Sequence, residues 1–437
     1  MARINKKPAT IYTHEGAKAQ RIDAEKQLRR SVMSCLLWES QFYESGEDIA
    51  SRISNVIPLV APGKVAEIAI EAREKMKLRH VPLLIVREMS RLDSHKYLVA
   101  AALKRVIQRA DELAEFVSIY WKDKRQPLSA QVKKGLAAAF CKFNEYALAK
   151  YNRDNAVKLR DVLFLSHAKP KDQAQAELWK RLVNNQLVVP DTWEVALSAG
   201  DNKREVWERL ITEGKLGGLA LLRNLRNMKL AQVSEEVIFS GFRNMNSDRI
   251  LPFRFIAAAK YAPQWEPQIE EAMLRCLENK QKLLGKTALV IDGSGSMFGT
   301  PISARSEIDR FEAAAALAIL AMELCERATV VVFSNNAKLV PSRRGFALRD
   351  ALYAQAERSM TNTQSGIMRA AQEGYDRIIV LTDEQSHQAV HNPLIGTKAY
   401  MINVASYQNG IGYSKWTHID GWSEAVLDYI ISSEQQE

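Results

Sequence analysis

Residues 286–297 read K-T-A-L-V-I-D-G-S-G-S-M, a short apolar run that ends in an aspartate and a tight glycine and serine loop. An apolar helical stretch follows at residues 310–326 (RFEAAAALAILAMELCE), and a β-branched run follows at residues 329–333 (TVVVF). Residues 378–381 (IIVL) and 399–404 (AYMINV) repeat the strand pattern. Strands that alternate with helices predict a doubly wound parallel sheet, an α/β fold.

Two of these strands end in an acid, Asp292 and Asp383. Ligands of doubly wound sheets bind at the carboxyl ends of the strands, so both acids are expected at the binding edge. Ser294 and Ser296 follow Asp292 at alternate positions and add two hydroxyls. Carboxylates, hydroxyls and waters are the ligands of an octahedral Mg²⁺ site, which leaves one position for an external anion. The loop therefore predicts a divalent metal site, with helix capping as the alternative.

This D-x-S-x-S spacing resembles the metal-ion-dependent adhesion site (MIDAS) of von Willebrand factor A domains, and the resemblance covers residues 284–433. The family completes its metal shell with a threonine from a later loop and an aspartate after a later strand. The stretch S-M-T-N-T at residues 359–363 resembles the family's threonine loop. The resemblance assigns the threonine role to Thr361, with Thr363 as the alternative, and the aspartate role to Asp383.

The same region argues against an enzyme. An aspartyl-phosphate phosphatase needs a second aspartate two residues after Asp292, where Ser294 stands. The chain has no G-x-S-x-G elbow and no G-x-x-x-x-G-K-[ST] loop. His387 and His391 follow Asp383 on a polar stretch, where a solvated histidine is the commoner reading. We therefore expect a binding protein.

Before residue 285 the pattern is helical. Apolar residues recur at i, i+3, i+4 and i+7, which predicts an all-helical region. Helices are expected at residues 128–151, 174–185, 203–213, 216–228, 234–242, 252–260 and 268–284. Such short helices in succession predict stacked helix pairs, or else an irregular helical domain. The predicted domains are residues 1–284 (all-helical) and 285–437 (α/β).

Charge is distributed unevenly over these halves. Residues 285–437 hold 13 basic and 17 acidic residues, a net charge of −4, so residues 1–284 carry +14 of the chain's total of +10. A concentrated positive field attracts polyanions such as nucleic acids, although a solvated basic surface is the alternative.

Cysteine spacing and hydropathy predict the compartment. The four cysteines, at positions 35, 141, 276 and 325, form no C-x-x-C pair and no dense disulfide framework. The N-terminal twenty residues lack the apolar core of a signal peptide, and no stretch approaches 18 consecutive apolar residues. We expect a cytoplasmic protein without a membrane partner.

A basic helical half followed by a von Willebrand A domain resembles the Ro autoantigen family, the TROVE proteins. Four strings carry the resemblance, at residues 149–153 (AKYNR), 163–170 (LFLSHAKP), 218–228 (GLALLRNLRNM) and 248–253 (DRILPF). With the C-terminal domain, the resemblance covers nearly the whole chain. It implies a TROVE ring of HEAT-like helical repeats, and a compact bacterial or phage type of member.

The resemblance also implies the ligands. Family members bind a small noncoding Y RNA on their outer surface, which here assigns RNA contacts to Lys150, Arg153 and His167, with Lys169 in the same stretch. The central hole passes single-stranded 3′ ends of misfolded RNA. Arg223 and Arg226 either line that hole or extend from a core helix.

Two functions remain open from the sequence. The first is a nonenzymatic, monomeric ring that acts as a scaffold for Y-like RNA in RNA quality control, tethering an exoribonuclease such as polynucleotide phosphorylase. The second is a metal-dependent adaptor that captures an acidic partner side chain at the Asp292 site.

Overall fold

The computed structural model describes residues 10–19, 22–34, 46–198, 200, 202–246, 250, 252–278, 280–299, 301, 308–405, 409–411, 415–420, 426–427, 430–431 and 434. They form two compact units. One unit contains helix α1 (Ala24–Ser34) and the chain from Gly46 to Val195. The other contains the N-terminal residues to Ile22 and the chain from Ala196 onward.

The first unit is helical. Its helices are α1 (Ala24–Ser34), α2 (Gly46–Val56), α3 (Pro62–Glu74), α4 (His80–Met89), α5 (Val99–Val106), α6 (Asp111–Tyr120), α7 (Ala130–Phe140), α8 (Glu145–Tyr151), α9 (Leu159–Ser166) and α10 (Gln173–Val183). Helices α3, α5, α7 and α9 pack in succession, and α4 packs on α6. A continuous apolar core runs from Leu28 to Leu182. Alternate helices that stack in layers are the arrangement expected of helical repeats.

The second unit continues this pattern after α11 (Trp193–Ser198). Its helices are α12 (Lys203–Thr212), α13 (Gly218–Leu230), α14 (Glu235–Asn244), α15 (Pro252–Tyr261) and α16 (Glu266–Arg275). Helices α12, α14 and α16 pack in one succession, and α13 packs on α15. The prediction of stacked helix pairs is thus confirmed, and the sheet follows directly in the same unit.

The sheet has six strands among the described residues, in the order β5-β4-β3-β6-β7-β8. Their bounds are β3 (Leu283–Asp292), β4 (Cys325–Phe333), β5 (Ala337–Leu339), β6 (Arg377–Thr382), β7 (Lys398–Asn403) and β8 (Thr417–Asp420). Every pairing is parallel except β4 with β5. A two-stranded N-terminal hairpin, β1 (Ile11–Tyr12) and β2 (Lys18–Ala19), also belongs to this unit.

Helices α17 (Arg310–Leu324), α18 (Gly345–Gln355) and α19 (Thr363–Glu373) connect these strands. The chain moves from β3 to β4 in one direction and from β4 back past β3 to β6 in the other. Right-handed crossovers therefore put α17 and α19 on opposite faces of the sheet. This confirms the doubly wound α/β prediction.

Helix α17 is buried over nearly its whole length, which explains why its sequence is apolar all round. It packs against β3, β4 and β6, and also against α15 and α18. The apolar string forms a helix from Arg310 to Leu324 that contacts both the sheet and its helical neighbours. The last two residues of the predicted helical stretch, Cys325 and Glu326, instead begin β4.

Two predicted helices were too long. Residues 128–151 form two helices, because Asn144 caps α8 by accepting a hydrogen bond from the backbone N–H of Ala147 at 2.9 Å. Residues 268–284 are helical only to Arg275, and strand β3 begins at Leu283. The predicted domain boundary at residue 284 stays a prediction.

Candidate functional site

Helix α8 carries Lys150 in its last turn. The Lys150 Nζ lies 6.0 Å from the ring centroid of Tyr146 and 5.9 Å from that of Tyr151. Within the part of the chain that the structure describes, no carboxylate pairs with Lys150. Its charge is therefore offset only by aromatic rings, whose faces attract cations weakly.

Arg153 follows α8 and is exposed. The next residue, Asp154, forms its ion pair with Lys158 and not with Arg153. Among the described residues Arg153 has no acidic partner. Its guanidinium is thus available to an external anion.

His167 ends helix α9. Its backbone is left-handed, with φ of 53°, and its N–H donates to the carbonyl of Phe164 at 3.2 Å. Histidine is among the residues that adopt this conformation more readily than most. The imidazole is exposed and has no hydrogen-bond partner within the described residues. The backbone caps the helix, therefore, while the side chain stays free for a ligand.

Lys169 lies two residues further on and is exposed. Its carbonyl accepts a weak hydrogen bond from the Cys141 Sγ at 3.9 Å. Helix α10 packs against both α8 and α9. The structure thus brings the helices of Lys150 and His167 into one stack, and we call Lys150, Arg153, His167 and Lys169 the basic stretch.

Arg223 and Arg226 lie in the other unit, on α13. Both are exposed, whereas Leu222 and Leu225 beside them are buried. Neither arginine forms an ion pair with a described residue. Partial burial and the positive charge of Arg223 both lower the pKa of Arg254 on α15. The two arginines of α13 thus face solvent.

A second candidate site lies at the carboxyl edge of the sheet. Strands β3 and β6 are neighbours, so Asp292 comes beside Thr382, which donates to the Asp292 Oδ2 at 2.6 Å. Ser296 donates to the Asp383 Oδ2 at 2.7 Å, and the hydroxyls of Ser294 and Ser296 are 3.2 Å apart. The structure thus brings Asp292, Ser294, Ser296 and Asp383 together, and their role as metal ligands stays a prediction.

Burial dominates the electrostatics of this carboxylate pair. Asp292 and Asp383 are fully buried. Burial and the negative charge of Asp383 raise the pKa of Asp292 to about 7. The buried Arg310 guanidinium lies 3.7 Å from Asp383 and offsets part of the charge. The sequence did not point to Arg310, because the first turn of an apolar helix gave no reason to expect a buried cation.

Thr361 and Thr363 are both buried and flank Asn362, which caps α19 by accepting from the Ser365 N–H at 3.1 Å. The carbonyl of Thr361 accepts the backbone N–H of His387 at 2.9 Å, and the Thr363 hydroxyl has no hydrogen-bond partner within the described chain. Either threonine thus stays a predicted ligand. The described residues contain no cluster of three or more His, Cys, Asp or Glu side chains suited to a metal.

Two further contacts at this edge were not expected from the sequence. Thr13 of the N-terminal hairpin donates to the Ser386 carbonyl at 3.0 Å, and the His14 N–H donates to the Gln385 side chain at 2.7 Å. Glu384, at φ of 58°, lies 2.6 Å from the buried His418 of β8. These contacts hold the turn that follows Asp383.

No helix of the described residues has the length and apolarity needed to cross a membrane. The cytoplasmic location remains an expectation.

Comparison with known proteins gives a matching domain model, two curated relatives and a similar solved structure. Residues 180–358 match the model of the TROVE domain. Telomerase protein component 1 of Mus musculus is 38% identical over 86 residues, which are 18% of this chain and 3% of that protein. The Rattus norvegicus protein is 37% identical over 86 residues, with the same coverage. The matched segment is thus a very small part of these relatives.

The solved structure of the Deinococcus radiodurans RO (RSR) protein matches this fold with a TM-score of 0.57 and 17% identity, over 94% of this chain and 99% of that one. The TROVE match begins in α10 and extends past α18. It therefore covers the junction of helices and sheet as well as part of the helical region. Residues 180–358 thus match the TROVE domain, and the fold as a whole is similar to that of the Deinococcus radiodurans Ro protein.

Proposed function

We propose that this protein binds RNA as a nonenzymatic scaffold of a ribonucleoprotein, through the basic stretch. One observation supports this best: Lys150, Arg153, His167 and Lys169 have no carboxylate partner among the described residues. Phosphate neutralisation by lysine and arginine supplies most of the affinity in such complexes. Histidine can donate to a phosphate or stack on an unpaired base.

Several arginines of the same unit, in contrast, form ion pairs within the chain. Arg73 binds Glu112 at 2.6 Å, Arg79 binds Glu115 at 2.8 Å, and Arg181 binds Glu145 at 2.7 Å. In each of these three pairs a carboxylate of the chain accompanies the cation. The cations of the basic stretch lack one, which supports a role toward an external anion.

The finer proposal follows the family. The basic stretch takes the stem of a small Y-like noncoding RNA, and Arg223 and Arg226 take single-stranded 3′ ends of misfolded RNA. An exoribonuclease such as polynucleotide phosphorylase is the proposed protein partner, in RNA quality control in the cytoplasm. The protein acts as a monomer in this proposal.

The first test is purification of the full chain from its own host, with sequencing of any RNA that resists a moderate salt wash. We expect one small RNA with a stem and an internal loop. Its affinity should fall steeply with salt, because each neutralised phosphate releases counterions, and it should not respond to EDTA. RNA-free protein that binds added structured RNA no better than a neutral protein would contradict the proposal.

A second candidate function is supported by the buried carboxylate pair. Asp292, Ser294, Ser296, Thr361 and Asp383 form a set of hard oxygen donors that fits Mg²⁺. Burial and the neighbouring charge of Asp383 raise the pKa of Asp292, which supports a cation at this pair. A divalent cation would offset the charge of the pair and offer a coordination position to an acidic side chain of a partner.

This adaptor function predicts a different response to conditions. Partner binding should disappear with EDTA and with Asp292→Ala, whereas phosphate contacts of the basic stretch should weaken with salt. A partner retained in EDTA would argue against it. Both functions can hold together, because the two sites lie in different units.

A further inference from the structure

An exposed tyrosine stands beside the free lysine of the basic stretch. Tyr146 is 52% exposed, and Lys150 follows it by four residues, one helical turn later. The Lys150 ammonium is nearly equidistant from the rings of Tyr146 and Tyr151, at 6.0 and 5.9 Å. One flat aromatic surface and one unpaired cation are therefore presented together.

Tyr151 is the ring of this pair that a neighbouring side chain holds in place. The Arg109 Cζ lies 4.6 Å from the Tyr151 ring centroid. Arg109 is itself held by Asp111, through its Nε at 3.0 Å and its Nη2 at 2.7 Å. Tyr151 is thus held by a paired cation. Among the described residues the outer ring, Tyr146, has no such cover, and 52% of this residue is exposed to a ligand.

The acid next to Tyr146 does not oppose an anionic ligand. The Glu145 carboxylate accepts from Arg181 at 2.7 and 3.3 Å and from the Val188 N–H at 3.4 Å. The hydrogen bond from Arg181 lowers the pKa of Glu145, which shows that its charge is compensated. Val188 itself and the adjacent Val189 are 69% and 70% exposed and give the surface an apolar border.

We propose that Tyr146 is the stacking surface for one unpaired RNA base, whose phosphate Lys150 contacts. The inference rests on the proposed RNA binding and adds what the basic stretch recognises. Every base has a π face, so stacking on an aromatic side chain suits an unpaired nucleotide of any sequence. Bases that leave a stem at bulges and loops are the ones that proteins stack in this way.

The test compares two RNA hairpins that differ in one nucleotide, with the full-length protein. One hairpin carries a single bulged 2-aminopurine in its stem, and the other has a fully paired stem and the same loop. Wild-type protein should bind the bulged hairpin more tightly and change the fluorescence of its 2-aminopurine. Tyr146→Ala should weaken binding of the bulged hairpin about tenfold and leave the paired hairpin within about twofold, whereas Tyr146→Phe should retain the wild-type affinity.

Two further variants separate stacking from other effects. Tyr97→Ala is the matched control, because Tyr97 is a 66% exposed tyrosine of the same unit whose ring has no cation over it among the described residues, and the adjacent Lys96 is paired with Asp93. It should leave both affinities unchanged. Lys150→Gln should weaken both hairpins, since both have phosphates. The melting temperatures of all variants should stay at the wild-type value, because the altered side chains are not in the core.

Each other outcome has a definite reading. Equal affinity of Tyr146→Ala and wild type, or equal loss on both hairpins, would overturn the stacking surface while RNA binding stands. Failure of the wild-type protein to bind either hairpin would instead count against the proposed function itself. Unchanged RNA affinity together with loss of a protein that copurifies with wild type would assign Tyr146 to a protein interface and overturn the inference.

Discussion

The basic stretch and the carboxylate edge of the sheet are built on opposite principles. The cations of the basic stretch extend from helix ends, and the described chain supplies no carboxylate for them. Asp292 and Asp383, in contrast, are fully buried and hydrogen-bonded to Thr382 and Ser296. One region leaves charge available to a ligand at the surface, whereas the other confines charge inside the fold.

This difference separates binding from stability. An exposed charge contributes little to folding, since surface electrostatics are weak in water. A buried charge affects the folding free energy strongly unless it is paired. Substitutions in the basic stretch should therefore change affinity, and substitutions at the carboxylate edge should change stability and its response to pH and metal.

The largest expected effect sharpens the first half of this comparison. The triple variant Lys150→Gln, Arg153→Gln, His167→Ser should lower the affinity for structured RNA at least about 100-fold, because each lost bond to a charged group costs about 1.5–3 kcal/mol. Filter binding measures the RNA affinity. Thermal melting measures the melting temperature, which should not change.

The control for the triple variant is Lys64→Gln, which removes an exposed lysine that is paired with Glu67 at 2.8 Å. It should bind RNA like wild type. A triple variant that melts at a much lower temperature would show instead that His167 or its neighbours are structural.

The next effect concerns pH at the carboxylate edge. The pKa of Asp292 is raised in the folded state to about 7, so folding takes up a proton there. In EDTA, the contribution of Asp292 to the free energy of unfolding should therefore be greatest below pH 4. It should decline as the pH rises to about 7. Asp292→Asn should abolish this decline, because the amide does not ionise.

Chemical denaturation at several pH values in EDTA measures this response. Added Mg²⁺ should flatten the wild-type profile and should have no effect on Asp292→Asn. Identical pH profiles of wild type and variant would contradict the contrast between the two regions. The carboxylate pair would then behave like surface carboxylates.

A smaller effect is expected where the sheet packs on α19. A β-carbon at Gly366 would come within 2.7 Å of the Phe333 ring and 2.8 Å of a Val290 methyl. Gly366→Ala should thus destabilise the sheet-containing unit by about 1–3 kcal/mol through overpacking. Urea denaturation measures the loss, and RNA affinity measured under native conditions should be retained; a matching loss of RNA affinity would mean that the regions are coupled.

The smallest effect tests the N-terminal hairpin. Thr13→Val removes the hydroxyl that donates to the Ser386 carbonyl and accepts from the Ala17 N–H. We expect a loss of about 1 kcal/mol and a weaker response of the melting temperature to Mg²⁺. An unchanged Mg²⁺ response would show that the hairpin does not influence the turn after Asp383.

Much of this organisation was predictable from local sequence. Local patterns predict the change from helical to strand periodicity near residue 285. They also predict the order of strands and helices along the chain after it, and the position of Asp292 at a strand end. Short local strings also pointed to Lys150 and His167. The break between α7 and α8 was missed because the helical period is otherwise continuous. Only Phe143 and Asn144 interrupt it.

The sequence could not predict which distant residues each side chain contacts. The positions of Asp292 and Lys150 follow from the period of a strand and of a helix, which are short-range properties of the chain. Which elements pack together decides the contact of Arg310 with Asp383, the hairpin contact of Thr13 and the lack of a carboxylate partner for Lys150 among the described residues. Only the tertiary structure decides them, because pairing and burial are set by residues distant in the chain, here up to 373 positions apart.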